Sequence, residues 1–283
     1  MMCCAAALGG WLAGQAEAAE SPVASAAPLP AEAAALLGAT WQGLDPEALW
    51  DAHAHLLGTG DAGSGCRVHP HLQQWWHPVE SLRRRVIMGA AGVPADAPSV
   101  DRAYVARLQA LAGDFPTGAR WLLYAFDSAH DERGNVRPGW STFHVPNAYA
   151  AQVAAADPQR FAWVASIHPY GEDALAQLDA AIAGGALAIK WLPSAMNIDL
   201  QAPRLRPFYD RLAAANLPLI VHGGEEKAVP GAERDALGNP LLFDLALKRR
   251  VSDGGARLSA SVFDTRAQLA RPGVSTVSPS ATV

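Results

Sequence analysis

The sequence predicts an α/β fold in which parallel strands are joined by helical crossovers, and three observations carry that prediction. Five short apolar runs recur along the chain, each followed by a polar turn and an Ala/Leu-rich helical pattern. Half of the 283 residues are hydrophobic and 17% are charged, which is enough for a large core. No apolar run approaches the ~20 residues of a membrane span, so a soluble globule is expected.

The 22 Lys+Arg against 27 Asp+Glu give a net charge of −5. The composition shows no basic block or stripe, which argues against nucleic acid or an anionic lipid surface as a partner. Three cysteines, two of them in the first four residues, make no disulfide framework. What remains is a soluble α/β globule, with room for a homo-oligomer.

Residues 1–30 form a signal-peptide-like segment and linker. Met1 to Ala13 is small and apolar, and Ala16-Glu17-Ala18 supplies an A-x-A-like cleavage pattern. No Lys or Arg precedes the apolar stretch, as a basic leader would require. The segment sets an expectation of a periplasmic or secreted protein, with the cytoplasm as the alternative. Ser21 to Pro30 is an Ala/Pro/Ser linker, and the folded part is expected to begin near Ala31.

The strand candidates are Leu49–Leu56, Arg120–Asp127, Phe161–His168, Leu187–Leu192 and Leu217–His222. Near-continuous apolar runs of this length suit buried parallel strands. Helical patterns at Val79–Gly89, Asp101–Gly113, Asn147–Ala156, Glu172–Ala183, Pro207–Ala215 and Pro240–Arg250 lie between and after them. Asp157-Pro158 and Gly184-Gly185 are stop signals. A closed barrel and an open doubly wound sheet both fit this alternation. No G-x-G-x-x-G or Walker-type loop follows a strand, which weakens nucleotide binding. The pattern stops after Arg250. The final 33 residues carry no strand–helix unit, and three more units would need about 90. The expected organisation is a partial barrel over 31–250 and an atypical, poorly packed tail over 251–283.

His53 and His55 stand at i and i+2 on the first strand, so both rings point to one face. At the C-terminal mouth of a parallel barrel that face is where active sites lie, and two imidazoles there can share one ion. The opposing reading is a pair of partly buried core histidines. Lys190 sits among apolar neighbours in Ala-Ile-Lys-Trp-Leu-Pro, where a lysine must be paired or lose its charge. It either reaches a carboxylate such as Asp127 or Glu225, or is carbamylated and bridges two metals. His222 ends the fifth strand and precedes Gly223-Gly224-Glu225, leaving space for a ligand. Asp127 and His168 end the second and third strands at the same level. His69, His71 and His77 share a loop with Trp75-Trp76, which is expected to act as a substrate-facing lid. The expected pocket is therefore Asp127, His168, Glu225, Trp75 and Trp76.

Together these residues resemble the amidohydrolase superfamily, specifically the amidohydrolase-related (amidohydrolase 2) metal-dependent hydrolases of TIM-barrel fold. The resemblance covers roughly Leu49 to Arg250. It rests on Trp50-Asp51-Ala52-His53-Ala54-His55, on Gly185 through Pro193, and on Leu217 through Gly224. It implies a (β/α)8 fold, truncated here after about five units. It also implies a divalent metal, zinc by donor type, held by His53, His55 and His222, with Lys190 as the strand-four residue. The implied partner is a small-molecule substrate, and the implied chemistry is metal-assisted hydrolysis of a C–N or C–O bond, or decarboxylation of a small carboxylic acid. Two family landmarks are not matched: a histidine after strand six and a catalytic aspartate after strand eight. Asp253 and Asp264 lie in the tail without a strand-end motif, so the catalytic base is unassigned. A truncation or a reading-frame slip would account for the break. The alternative is a catalytically inactive barrel fragment that binds a metal or ligand.

Overall fold

The structure, a computed structural model, describes residues 30–224, 231–232, 234–246 and the strand 258–262. The signal-peptide-like segment, Glu225, Asp253 and Asp264 lie outside them.

The first strand is β1 (Trp50–His55), followed by the short β2 (Arg67–Val68). Then come β3 (Arg120–Tyr124), β4 (Phe143–His144), β5 (Phe161–Val164), β6 (Ile189–Trp191), β7 (Leu219–Gly223) and β8 (Leu258–Val262). The strands β1, β3 and β5 pair in parallel, as do β6, β7 and β8. A parallel bridge between Ala165 and Ile189 links the two groups into the order β1-β3-β5-β6-β7-β8. The ribbon β2-β4 is antiparallel and attaches beyond the end of β3 through a Phe126–Val145 bridge.

Helix α1 (Ala31–Thr40) precedes β1, and α2 (Pro78–Ala90), α3 (Val100–Gly113), α4 (Asn147–Ala156), α5 (Ala174–Ala183), α6 (Pro193–Met196) and α7 (Arg206–Ala214) fill the connections. The main core lies between sheet and helices, where Leu123, Ala165, Ile189 and Trp191 meet Val153, Leu178, Phe208 and Leu212. A second cluster of Tyr124, Val164 and Ala188, with Leu122 and Ile220 packed against it, occupies the other face. Strand alternation explains this division, because Leu123 and Tyr124 must point to opposite faces. Helix α1 buries no residue; past its end, Trp41 packs at a tilt against Phe115, ring centroids 4.9 Å apart.

Sequence expectations are corrected at the strand ends and in the tail, and refined at the last helix. The second and third strands end at Tyr124 and Val164, short of Asp127 and His168. Side chains take over the ladder there. The Asn147 amide bonds both backbone groups of Ser166, and the Ser166 hydroxyl accepts from Asp127 N and donates to Lys190 O. The expected helix at Pro240–Arg250 begins as a 3-10 turn over Pro240–Phe243 and is α-helical from Asp244. Residues 258–262, where the pattern shows no strand, pair in parallel along the whole of β7.

Candidate active site

The arrangement starts with an irregularity in β1. Its register against β3 shifts between Asp51 and Ala54, and such bulges re-aim side chains. The freed backbone groups are bonded locally: Asp51 Oδ1 accepts from His53 N at 3.0 Å, and the Tyr124 hydroxyl donates to Ala52 O. The Tyr104 hydroxyl donates to His55 O at 2.6 Å from α3.

With β1 held in this way, His53 and His55 turn to one face and their Nε2 atoms stand 2.9 Å apart. Both rings pack on Tyr124, at centroid distances of 5.2 and 5.3 Å. Lys190 reaches the same aromatic ring, its Nζ 5.4 Å from the centroid, and the residue is 1% exposed. Lys190 and Ile220 are in-register partners, so His222, two residues along β7, shares their face.

Solvent reaches His53 and His55 along the edge of β1, but their rings are desolvated against the sheet, and this burial is the main cause of their low basicity. His53 is pushed down to about 4 by burial, then by the charges of Lys190 and His222, with Asp51 opposing. His55 is pushed down to about 3 by burial, His53, Lys190 and His222. Both rings are therefore neutral at physiological pH, the form that binds metal.

Among the described residues, no group of three or more His, Cys, Asp or Glu side chains is arranged to hold a metal ion. Two ligands do fit one: the Nε2 atoms of His53 and His55 share a hydrogen bond at 2.9 Å, one donating and one accepting, and an ion replacing that proton would bind each at ~2.0–2.1 Å. His222 lies near enough for its charge to act on both rings. Its in-register partner on β8 is Ser261, so no histidine stands beside it at that level.

Asp127 and His168 belong to the loops beyond β3 and β5 and are tied together. Asp127 Oδ2 accepts from His168 N at 2.7 Å. His168 is 1% exposed and uses both ring nitrogens inside the protein. Its Nδ1 accepts from Tyr170 N at 3.2 Å, so its Nε2 carries the proton donated to Met196 O at 2.7 Å. Its ring stacks on His130 at 4.0 Å. This geometry makes His168 a buried brace for the loops beyond β5 and β6.

Sequence reasoning missed His144, which closes the other side of Asp127. The His144 Nδ1 lies 3.7 Å from Asp127 Oδ1 and 3.2 Å from Ser128 Oγ. Its only signal was spacing from a two-residue strand too short to register as a periodic pattern. Trp75 and Trp76 are 82% and 58% exposed and pack edge-on against each other at 5.9 Å. In the same loop, His71 stacks on His77 at 3.8 Å and lies 4.5 Å from His69.

The sequence model of a family described as Amidohydrolase matches residues 50–262. No curated protein shows a significant match to the chain. Among solved structures, the chain is similar to an uncharacterised TIM-barrel protein from Bordetella bronchiseptica, at 19% identity and a TM-score of 0.45. That match covers 74% of this chain and 65% of the other. It is also similar to 4-oxalomesaconate hydratase from Rhodopseudomonas palustris, at 14% identity and a TM-score of 0.37, covering 62% and 52%. The chain thus spans less than two thirds of either structure's length.

Proposed function

We propose, from the premise that this chain belongs to the amidohydrolase family, that it is a metal-dependent hydrolase of small molecules cleaving a C–N or C–O bond. Decarboxylation of a small carboxylic acid is the neighbouring chemistry of the same site. The observation that carries the reading is the convergence of the His53 and His55 Nε2 atoms beside Lys190 and His222.

In this reading His53, His55 and His222 hold a divalent ion, and an all-imidazole donor set favours zinc. When bound, such an ion polarises a carbonyl and lowers the pKa of water. The protein's own residues prepare for it. Burial and the Lys190 charge keep both imidazoles unprotonated. Tyr124 forms the floor under the two rings. Ser128 Oγ holds His144 by Nδ1 with Asp127 nearby, and burial keeps that ring neutral, the form that accepts a proton at the strand ends.

A second reading is binding without turnover, in which no described aspartate serves as the catalytic base. Loss of a general base costs on the order of 10²–10⁴ in rate.

The test assays the purified chain, chelated and then reloaded with zinc, against aryl amides, aryl esters and aromatic carboxylic acids. Zinc-dependent turnover that falls at least ~100-fold in His55→Asn supports the hydrolase. Zinc binding without turnover selects the second reading, and absence of both defeats the two.

A further inference from the structure

We propose that α2 and the tryptophan pair preceding it form a docking surface for an anionic lipid bilayer. Helix α2 buries no residue, and Val79, Leu82 and Val86 are 64%, 62% and 64% exposed. Their i, i+3, i+7 spacing makes them one outward stripe. The opposite side of the helix is already engaged: Arg84, Ile87 and Met88 line a shallow groove with Val68 and Phe143 of the β2-β4 ribbon and Leu72 of the turn after β2. That packing fixes the rotation of α2 and leaves the apolar stripe facing solvent.

At 3.6 residues per turn, Arg83 and Arg85 fall on opposite flanks of the stripe. Both are exposed, and neither forms an ion pair among the described residues. Glu80, the helix's acidic residue, lies off the stripe, where its charge acts on His69. At the start of the helix, the Trp75 and Trp76 rings stand out together. An apolar stripe edged by arginines and headed by indoles matches the water–bilayer boundary. The alkyl stems and rings enter the acyl region while guanidinium groups remain among anionic headgroups.

Charge complementarity selects this occupant. In a two-fold pairing of two copies, identical arginine flanks would face each other across the stripe. The chain's net charge of −5 is no obstacle, because attraction to the headgroups acts within a Debye length of about 8 Å. Composition alone argued against a lipid surface; the stripe emerges only once the helix faces are assigned.

The test is co-sedimentation of the full chain with phosphatidylcholine vesicles and with vesicles containing 30% phosphatidylglycerol, where that composition is a choice of order about one anionic lipid in three. The expected result is salt-sensitive binding to the anionic vesicles alone. Replacing Arg83 and Arg85 by Gln should weaken partition by roughly fivefold per charge. Leu82→Glu, or Trp75→Ala with Trp76→Ala, should abolish it while circular dichroism and Tm stay unchanged, as surface positions allow. Equal binding to both vesicle types, or none to either at low salt, overturns the proposal. A dimer in light scattering that Leu82→Glu dissociates, without vesicle binding, identifies a second copy as the occupant and also overturns it.

Discussion

His168 is held by bonds that leave its ring no freedom. It donates from Nε2 to Met196 O, accepts from Tyr170 N at Nδ1, and stacks on His130. Burial, then the neighbouring His130, pushes it down to about 3. A histidine with a depressed folded-state pKa stays neutral in the native state while the unfolded chain binds a proton below ~6.5. Its contribution to stability is therefore full above pH 6.5 and is lost as pH falls from there towards 3. Urea unfolding across that window should show falling stability, with a shallower slope in His168→Leu; an unchanged slope would contradict the assignment. Lys190→Met should raise the pKa values of His53 and His55 in an NMR titration, because it removes a charge acting on both. Values that do not move would mean that Lys190 leaves these rings alone. The paired histidines were legible from the sequence, since i, i+2 spacing on a strand fixes a common face. The role of His168 was not, because its partner carbonyl arrives 28 residues later in a loop.

Between β1 and α3, an interlocked pair of carboxylates sets where the histidine strand ends. Asp101, 1% exposed, accepts from Thr59 N at 2.6 Å, Gly60 N at 3.2 Å, Ala62 N at 3.2 Å and Ser64 Oγ at 2.6 Å. In return Asp61 accepts from Ser99 Oγ, Val100 N and Asp101 N at the start of α3. Gly60 has φ +85°, and a Cβ there would lie 2.5 Å from Cys66 O. Asp101→Ala should cost about 2–4 kcal/mol, since four part-buried donors lose their acceptor together. Gly60→Ala should cost more than about 1 kcal/mol. Denaturant melts check both, and hydrogen exchange should rise first at residues 59–64; protection there equal to wild type would show that the latch does not order the loop. The apolar runs revealed the main strands and helices because burial writes directly into composition. Strand ends were hidden because Asn147 and Ser166 replace the ladder with side-chain bonds. The β2-β4 ribbon was too short to carry a period, and β8 contains Ser259 and Ser261 within a weakly apolar run.

At the scale of the whole molecule, parallel strands present His53, His55, Lys190 and His222 on the face opposite the helix layer. The amidohydrolase family match spans that same stretch, residues 50–262. The central claim is that this face binds a divalent metal through His53 and His55. Calorimetric titration of the chelated chain with Zn²⁺ tests it most directly, beside His53→Ala, His55→Ala and His222→Ala. The account predicts one high-affinity ion per chain, with affinity falling by more than roughly 100-fold on loss of His53 or His55. Undetectable zinc binding by the folded chain, or binding untouched by both substitutions together, would contradict it.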